Sequence, residues 1–312
     1  MGRMEITGLH HIGHVVRDMT AALDGYRRLG FAVPAPSYPA LPGDDGEPVP
    51  FGAANTHADF AADFLELATV LDPGGAVPAD ARVVPLQAPP EVLPTLLERV
   101  TATSATLAAC LERFEGLHIL MFSASDIDAA ADRLRTAGVG HGGVTTVRRP
   151  AGDEVETVRY LEIDGERPGA VAEGRVGVVA DLDPRLQAAR LTGHPNGATG
   201  LADVLLCATD VDETQDRYER YLGRKARVDG KTRVFAIGDA TVTLVAASDL
   251  DAVLPGVTPP AVPALVATTV AVRDLGTTRQ LLQDNGFPLR ETPAGEIFTS
   301  ALGAVIAFRP EN

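Results

Sequence analysis

The sequence predicts an α+β fold made of four tandem βαβββ modules. Three observations carry that expectation. A pattern of apolar run, Asp, amphipathic stretch and Gly recurs four times. The stretch between Asp and Gly has helical spacing, and the segments after each Gly have the short, apolar character of strands.

The four copies are "HIGHVVRDMTAALDGYRRLGF" (11–31), "LHILMFSASDIDAAADRLRTAGV" (117–139), "DVLLCATDVDETQDRYERYLG" (203–223) and "VATTVAVRDLGTTRQLLQDNGF" (266–287). Each opens as a strand and reaches Asp18, Asp126, Asp210 or Asp274. An Asp there suits a helix N-cap, because its carboxylate accepts the free N–H groups of the first turn. Met19, Ala22, Leu23 and Tyr26 form one apolar stripe, and Ile127, Ala130, Ala131 and Leu134 form the matching stripe in the second copy. Gly30, Gly138, Gly223 and Gly286 then end the helices, since glycine tolerates the left-handed turn. The strands that follow include "HADFAADFLELATV", "VETVRYLEID" with "GRVGVVA", "TRVFAIGDATVTLVAA" and "EIFTSALGAVIAFRP". A Pro-rich stretch (70–90) leaves the first copy, and "EVLPTLLERVTATSATLAACLERF" (91–114) reads as a helix inserted before the second. Asn196-Gly197 marks a turn between the halves. The expected domains are a module pair over 1–193, with an insertion at about 73–113, and a second pair over 194–312.

Composition narrows the partners. A formal net charge of −15 disfavours nucleic acid and anionic membrane surfaces. No apolar run approaches a membrane span, and the N-terminus enters a structured pattern at once, so the chain reads as soluble and cytoplasmic. Cys110 and Cys207 are far apart and read as reduced core residues. The nucleophile-elbow, phosphate-loop and zinc-protease motifs are absent. The expected partner is a small molecule, and a homodimer with swapped modules is an alternative to pairing within one chain.

Tandem modules with a strand histidine in "HHIGHVVRDM" and a closing-strand acid in "DFLELATVLDP" resemble the vicinal oxygen chelate superfamily, and in particular its glyoxalase-like members with four modules in one chain. The resemblance implies cupped mixed sheets formed by paired modules. It also implies a divalent ion (Zn, Fe, Mn, Ni or Co) held by imidazole and carboxylate, acting as a Lewis acid on neighbouring oxygens of a small molecule. Carried onto this sequence, the metal ligands are His11 and Glu66, with His118 a weaker third and His57 able to reach in from the strand pairing with that of Glu66. Simple strand alternation puts His10 and His14 on the helix side, as hydrogen-bonded structure. It also turns His118 away from the cup unless a bulge intervenes. The equivalent positions in the second half are Asp203, Thr243, Ala267 and Ala307, which reads as chemically silent. That is unlike the extradiol dioxygenases, whose iron lies in their second half. Three functions follow from the resemblance: a metal-dependent lyase, isomerase or oxygenase; a non-catalytic binding or drug-sequestering protein using the same cup without metal; or a scaffold.

Overall fold

A computed structural model describes residues 5–43, 45–71, 75–86, 91–151, 154–165 and 172–311. The first module contains β1 (Ile6–Val15), α1 (Met19–Arg28), β2 (Ser37–Pro42), β3 (Pro48–Pro50), β4 (Ala53–Asp59), β5 (Phe64–Val70) and β6 (Arg82–Pro85). The inserted helix α2 (Leu93–Arg113) follows, and then β7 (Gly116–Ala124), α3 (Ile127–Thr136), β8 (Gly140–His141), β9 (Thr145–Ala151), β10 (Glu154–Gly165) and β11 (Arg175–Ala180). A short α4 (Pro184–Arg190) leads into β12 (Ala198–Ala208), α5 (Val211–Leu222), β13 (Arg227–Asp229), β14 (Thr232–Ile237) and β15 (Ala240–Ala246). The last module contains β16 (Ala264–Val272), α6 (Leu275–Asp284), β17 (Arg290–Glu291), β18 (Ile297–Ala301) and β19 (Ala304–Pro310).

The helices start and stop where the sequence grammar puts them. Asp18, Asp126, Asp210 and Asp274 accept first-turn N–H groups, from Ala21, Ala129, Asp212 with Glu213, and Thr277. Gly30, Gly138, Gly223 and Gly286 all take the left-handed backbone, with φ between 66° and 84°. A side chain at any of them would meet strain.

Modules pair through their first strands. β1 runs antiparallel to β7, with β5 parallel to β1 and β11 parallel to β7. β4 and β10 extend this sheet on its two sides. The second half repeats the plan, with β12 antiparallel to β16 and flanked by β15 and β19. Leu117 and Leu265 join the two sheets edge to edge. One buried apolar cluster runs through both halves, from Ile12, Tyr26 and Leu120 to Val204, Tyr218 and Phe308. Burying that continuous surface holds the module pairs together, since a single module of this size is too small for a robust core.

The other sheet face, the cup, is partly filled in each half. In the first, Leu107 and Leu111 of α2 pack onto Val15, Ala68, Ile119, Met121 and Val179. In the second, Leu250 and Leu254 pack onto Leu205, Cys207, Ala267 and Val305. The insertion expected as a helix is therefore part of the wall of the first cup. Both cysteines are buried and unpaired. No helix among the described residues is long and apolar enough to cross a membrane.

Candidate functional site

The seven histidines sort themselves by what their ring nitrogens touch. Four place Nε2 within hydrogen-bond reach of a backbone carbonyl: His14 on Leu302, His118 on Phe114, His141 on Ala131 and His194 on Asp59. A carbonyl only accepts, so each Nε2 carries the proton and the ring is spent on structure. His14 is fully buried, and its Nδ1 accepts from the Tyr26 hydroxyl at 2.8 Å. Burial pushes its pKa down to about 4. Burial likewise lowers that of His118.

The other three histidines meet around one phenylalanine. Phe64 stacks on His11 with ring centroids 4.6 Å apart, lies 4.4 Å from His57 and makes an edge contact with His10 at 5.2 Å. Register explains why. His11 pairs with Phe64 and Gly13 with Glu66 across β1 and β5, while His57 pairs with Glu66 across β4 and β5. All these side chains therefore share the cup face. His11 Nε2 lies 3.7 Å from Glu66 Oε2, and His57 Nε2 lies 4.0 Å from Glu66 Oε1. Asn55, two residues before His57 and so on the same face, donates from Nδ2 to Glu66 Oε1 at 2.7 Å. Arg175, from β11, adds positive charge near Glu66 while donating to Glu162 from Nε and Nη2.

The structure thus brings His11, Glu66 and His57 together and keeps His118 apart from them. A bulge does occur at His118, because Gly13 faces Ile119 and His14 faces Leu117. The imidazole nevertheless ends against the Phe114 ring, with centroids 4.1 Å apart, and on the Phe114 carbonyl. His118 is therefore corrected from weaker ligand to buried structural residue. His10 is corrected in the opposite direction. Leu9 faces Phe122 and His11 faces Met121, so His10 is the extra residue of a second bulge. That kink overrides strand alternation and places His10 Nδ1 2.7 Å from His11 Nδ1. Sequence reasoning missed His10, Asn55, Phe64 and Arg175. The Asn55–His57 spacing was the one available signal, because alternation alone puts them on one face.

A glyoxalase-like domain model matches residues 9–222, well over half of the chain. The chain belongs to the glyoxalase-like domain family. The match covers both modules of the cup just described and runs on through α5. No curated protein matches this sequence. Solved structures share the fold at low identity. A hypothetical protein from Staphylococcus aureus is 10% identical, with a TM-score of 0.59 over 97% of this chain and 98% of its own. A mutant of 4-hydroxymandelate synthase from Streptomyces coelicolor is 16% identical, with a TM-score of 0.58 over 98% and 92%. The 2,3-dioxygenase LapB from Pseudomonas sp. KL28 is 13% identical, with a TM-score of 0.53 over 98% and 93%. At such identities the likeness speaks for the glyoxalase-like architecture alone.

The expected divalent ion can be tested on the residues that would complete its shell. In the second module, Ile119 stands where His11 stands in the first, and Gly177, facing Met121, stands where Glu66 does. The Ile119 side chain lies over Gly13, so close that a Cβ there would sit 2.6 Å from it. At Gly177 a Cβ would sit 2.5 Å from the Leu161 carbonyl oxygen, which excludes a glutamate without backbone movement. Among the described residues, no group of three or more His, Cys, Asp or Glu could hold a metal ion. His11, His57 and Glu66 all come from the first module and the second supplies no ligand, so the residues do not fit a resident ion held between paired modules as the resemblance implied.

The second cup carries Asp203 at the His11 position. Its carboxylate accepts from the hydroxyls of Thr241 and Thr243. Burial pushes its pKa up to about 6. Thr243, Ala267 and Ala307 offer no further ligand, and the apolar plug of Leu250 and Leu254 covers the same sheet face. A cavity of about 760 Å³ opens instead beside the first cup, where Asn55 and His57 line it with Tyr38, Asp59, Arg82 and Arg190.

Proposed function

We propose that this glyoxalase-like protein binds a small polar molecule beside His57, Asn55 and Glu66, and that it does so by hydrogen bonding and charge without a resident metal. The observation that carries this reading is the pairing of a convergent polar cluster with an incompletable shell. Glu66 is faced by two imidazoles and an amide, while Ile119 and Gly177 occupy the positions that would close a metal centre. The neighbouring cavity of about 760 Å³ falls in the range of ordinary small-molecule sites. Its wall mixes apolar residues such as Pro34 and Leu186 with a few polar groups, the composition that fixes a ligand's orientation.

A direct experiment pairs elemental analysis of untagged protein with a thermal-shift screen of small oxygenated metabolites. The expected result is less than a tenth of an equivalent of Zn, Fe, Mn, Ni or Co, together with a stabilising ligand whose effect is lost in Glu66→Gln and His57→Phe. One equivalent of metal in the wild type, lost in both His11→Ala and Glu66→Gln, would overturn the metal-free reading and restore the metal-dependent enzyme.

A further inference from the structure

Two imidazoles that are consecutive in a strand normally point to opposite faces. Here the bulge at His10 brings them side by side, with Nδ1 to Nδ1 at 2.7 Å and the rings nearly perpendicular at 68°. That separation is a hydrogen bond, and a bond between two neutral imidazole nitrogens holds a single proton. Which ring owns the proton decides what His11 presents at its other nitrogen.

Glu66 biases the ownership, and the short bond to His10 fixes it. His11 Nε2 faces Glu66 Oε2 at 3.7 Å, and both side chains are only 13% exposed, so solvent screens the interaction weakly. A lone pair on Nε2 aimed at a carboxylate oxygen is repelled, whereas an N–H is attracted. The charge of Glu66 favours His11 in its Nε2–H form, and in that form His11 Nδ1 is the acceptor and His10 Nδ1–H the donor. Phe64 holds the arrangement in place. Its ring lies flat on His11, with an interplanar angle of 8°, and meets His10 edge-on.

We propose that His10 is the positioning residue that locks His11 in its Nε2–H form, so that His11 offers a hydrogen-bond donor, not a metal-binding lone pair, to whatever binds beside Glu66. The proposal deepens the metal-free reading and rests on it for the identity of the site. It commits any ligand atom that reaches His11 Nε2 from the cavity beside His57 to be a hydrogen-bond acceptor. A ligand atom there would accept from Nε2, while Glu66 remains the neighbouring acceptor for any hydroxyl the ligand carries.

The test reads tautomers in the ligand-free chain, by two-dimensional ¹H–¹⁵N spectra of the ring nitrogens at a pH above the imidazole range. His11 signals are assigned by their loss in His11→Asn. In the wild type, His11 Nε2 is expected as the protonated nitrogen and His11 Nδ1 as the unprotonated one. His10→Phe keeps an aromatic ring but cannot donate, so the two His11 nitrogen signals should move toward each other as both tautomers populate. His10→Asn, whose amide N–H falls near the former Nδ1, should restore the separation. A wild-type His11 protonated at Nδ1 would overturn the proposal even if His10→Phe failed to fold. So would a folded His10→Phe with unchanged His11 signals. Because no ligand is present, failure here leaves the small-molecule reading standing. Failure of that reading alone would appear as an intact tautomer pattern with no stabilising ligand in the screen.

Discussion

Replacing Glu173 with Gln should loosen the joint between the two halves more than any exposed charge change. Glu173 lies just before β11 and is fully buried. Its Oε1 accepts from Arg217 Nη1 at 2.7 Å and from the Tyr218 hydroxyl at 2.8 Å, both on α5 of the third module. Arg217 is itself only 11% exposed and lies over the Tyr218 and Tyr221 rings, 5.5 and 5.7 Å from their centroids. Glu173→Gln keeps an acceptor for the tyrosine but strands a largely buried guanidinium. Breaking one partner of a buried pair costs about 3–5 kcal/mol. Arg217 retains a second acid, Glu213, at 3.2 Å, but that carboxylate is 56% exposed and compensates weakly. The low end of the range, about 3 kcal/mol, is therefore expected. For a chain of this size that corresponds to roughly a 6–12 °C fall in melting temperature. Urea denaturation of Glu173→Gln, Arg217→Gln and the double variant forms the decisive cycle. Because the double variant removes charge from both sides, it should be less damaged than the sum of the singles, by about 2 kcal/mol. A loss below about 1 kcal/mol in Glu173→Gln, or additivity within about 0.5 kcal/mol, would refute the argument.

Two further outcomes follow from the same geometry. Asp203 has its pKa raised by burial to about 6, above the ordinary carboxylate range, so its contribution to stability is fully present below about pH 4 and is lost as pH rises through the folded value. Asp203→Asn should thus stabilise the protein at pH 8, by up to about 3 kcal/mol, and give no gain at pH 4. Equal effects at the two pH values in a melting series would contradict the assignment. Gly177→Ala puts a Cβ 2.5 Å from the Leu161 carbonyl oxygen and 2.7 Å from Met121 Sδ. Overpacking against backbone of this kind costs about 1–3 kcal/mol, and a neutral result by chemical denaturation would reopen the second-module ligand position.

The helices were legible because their signals are local. An Asp cap needs only the next three N–H groups, and a terminal Gly needs only its own φ, so Asp126 and Gly138 read as plainly in the sequence as in the structure. His11, His57 and Glu66 were legible for a related reason, since the alternation of β1, β4 and β5 carries their common face. What the sequence hid was set by register between segments distant in the chain. That Arg175 approaches Glu66 depends on how β11 aligns with β7 and β7 with β1, and no short window encodes it. The bulge at His10 is hidden for the same reason, because it is a mismatch of counting between β1 and β7.

Four of the six register shifts between the paired first strands share one place in their modules. Each first strand carries one at the residue before its His11-equivalent position: His10, His118, Ala202 and Val266. The kink therefore belongs to the fold, since paired first strands need the added twist whatever side chain sits there. What differs is the use made of it. Val266 joins the apolar cluster of the second cup, and Ala202 has no functional group to present. His118 spends its Nε2 on the Phe114 carbonyl. Only at His10 does the kink deliver a ring nitrogen to the next residue's ring, beside an acid. A fold feature repeated four times thus acquires polar consequences once, and it does so in the cup where α2 covers one end and a polar cavity opens beside Asn55 and His57.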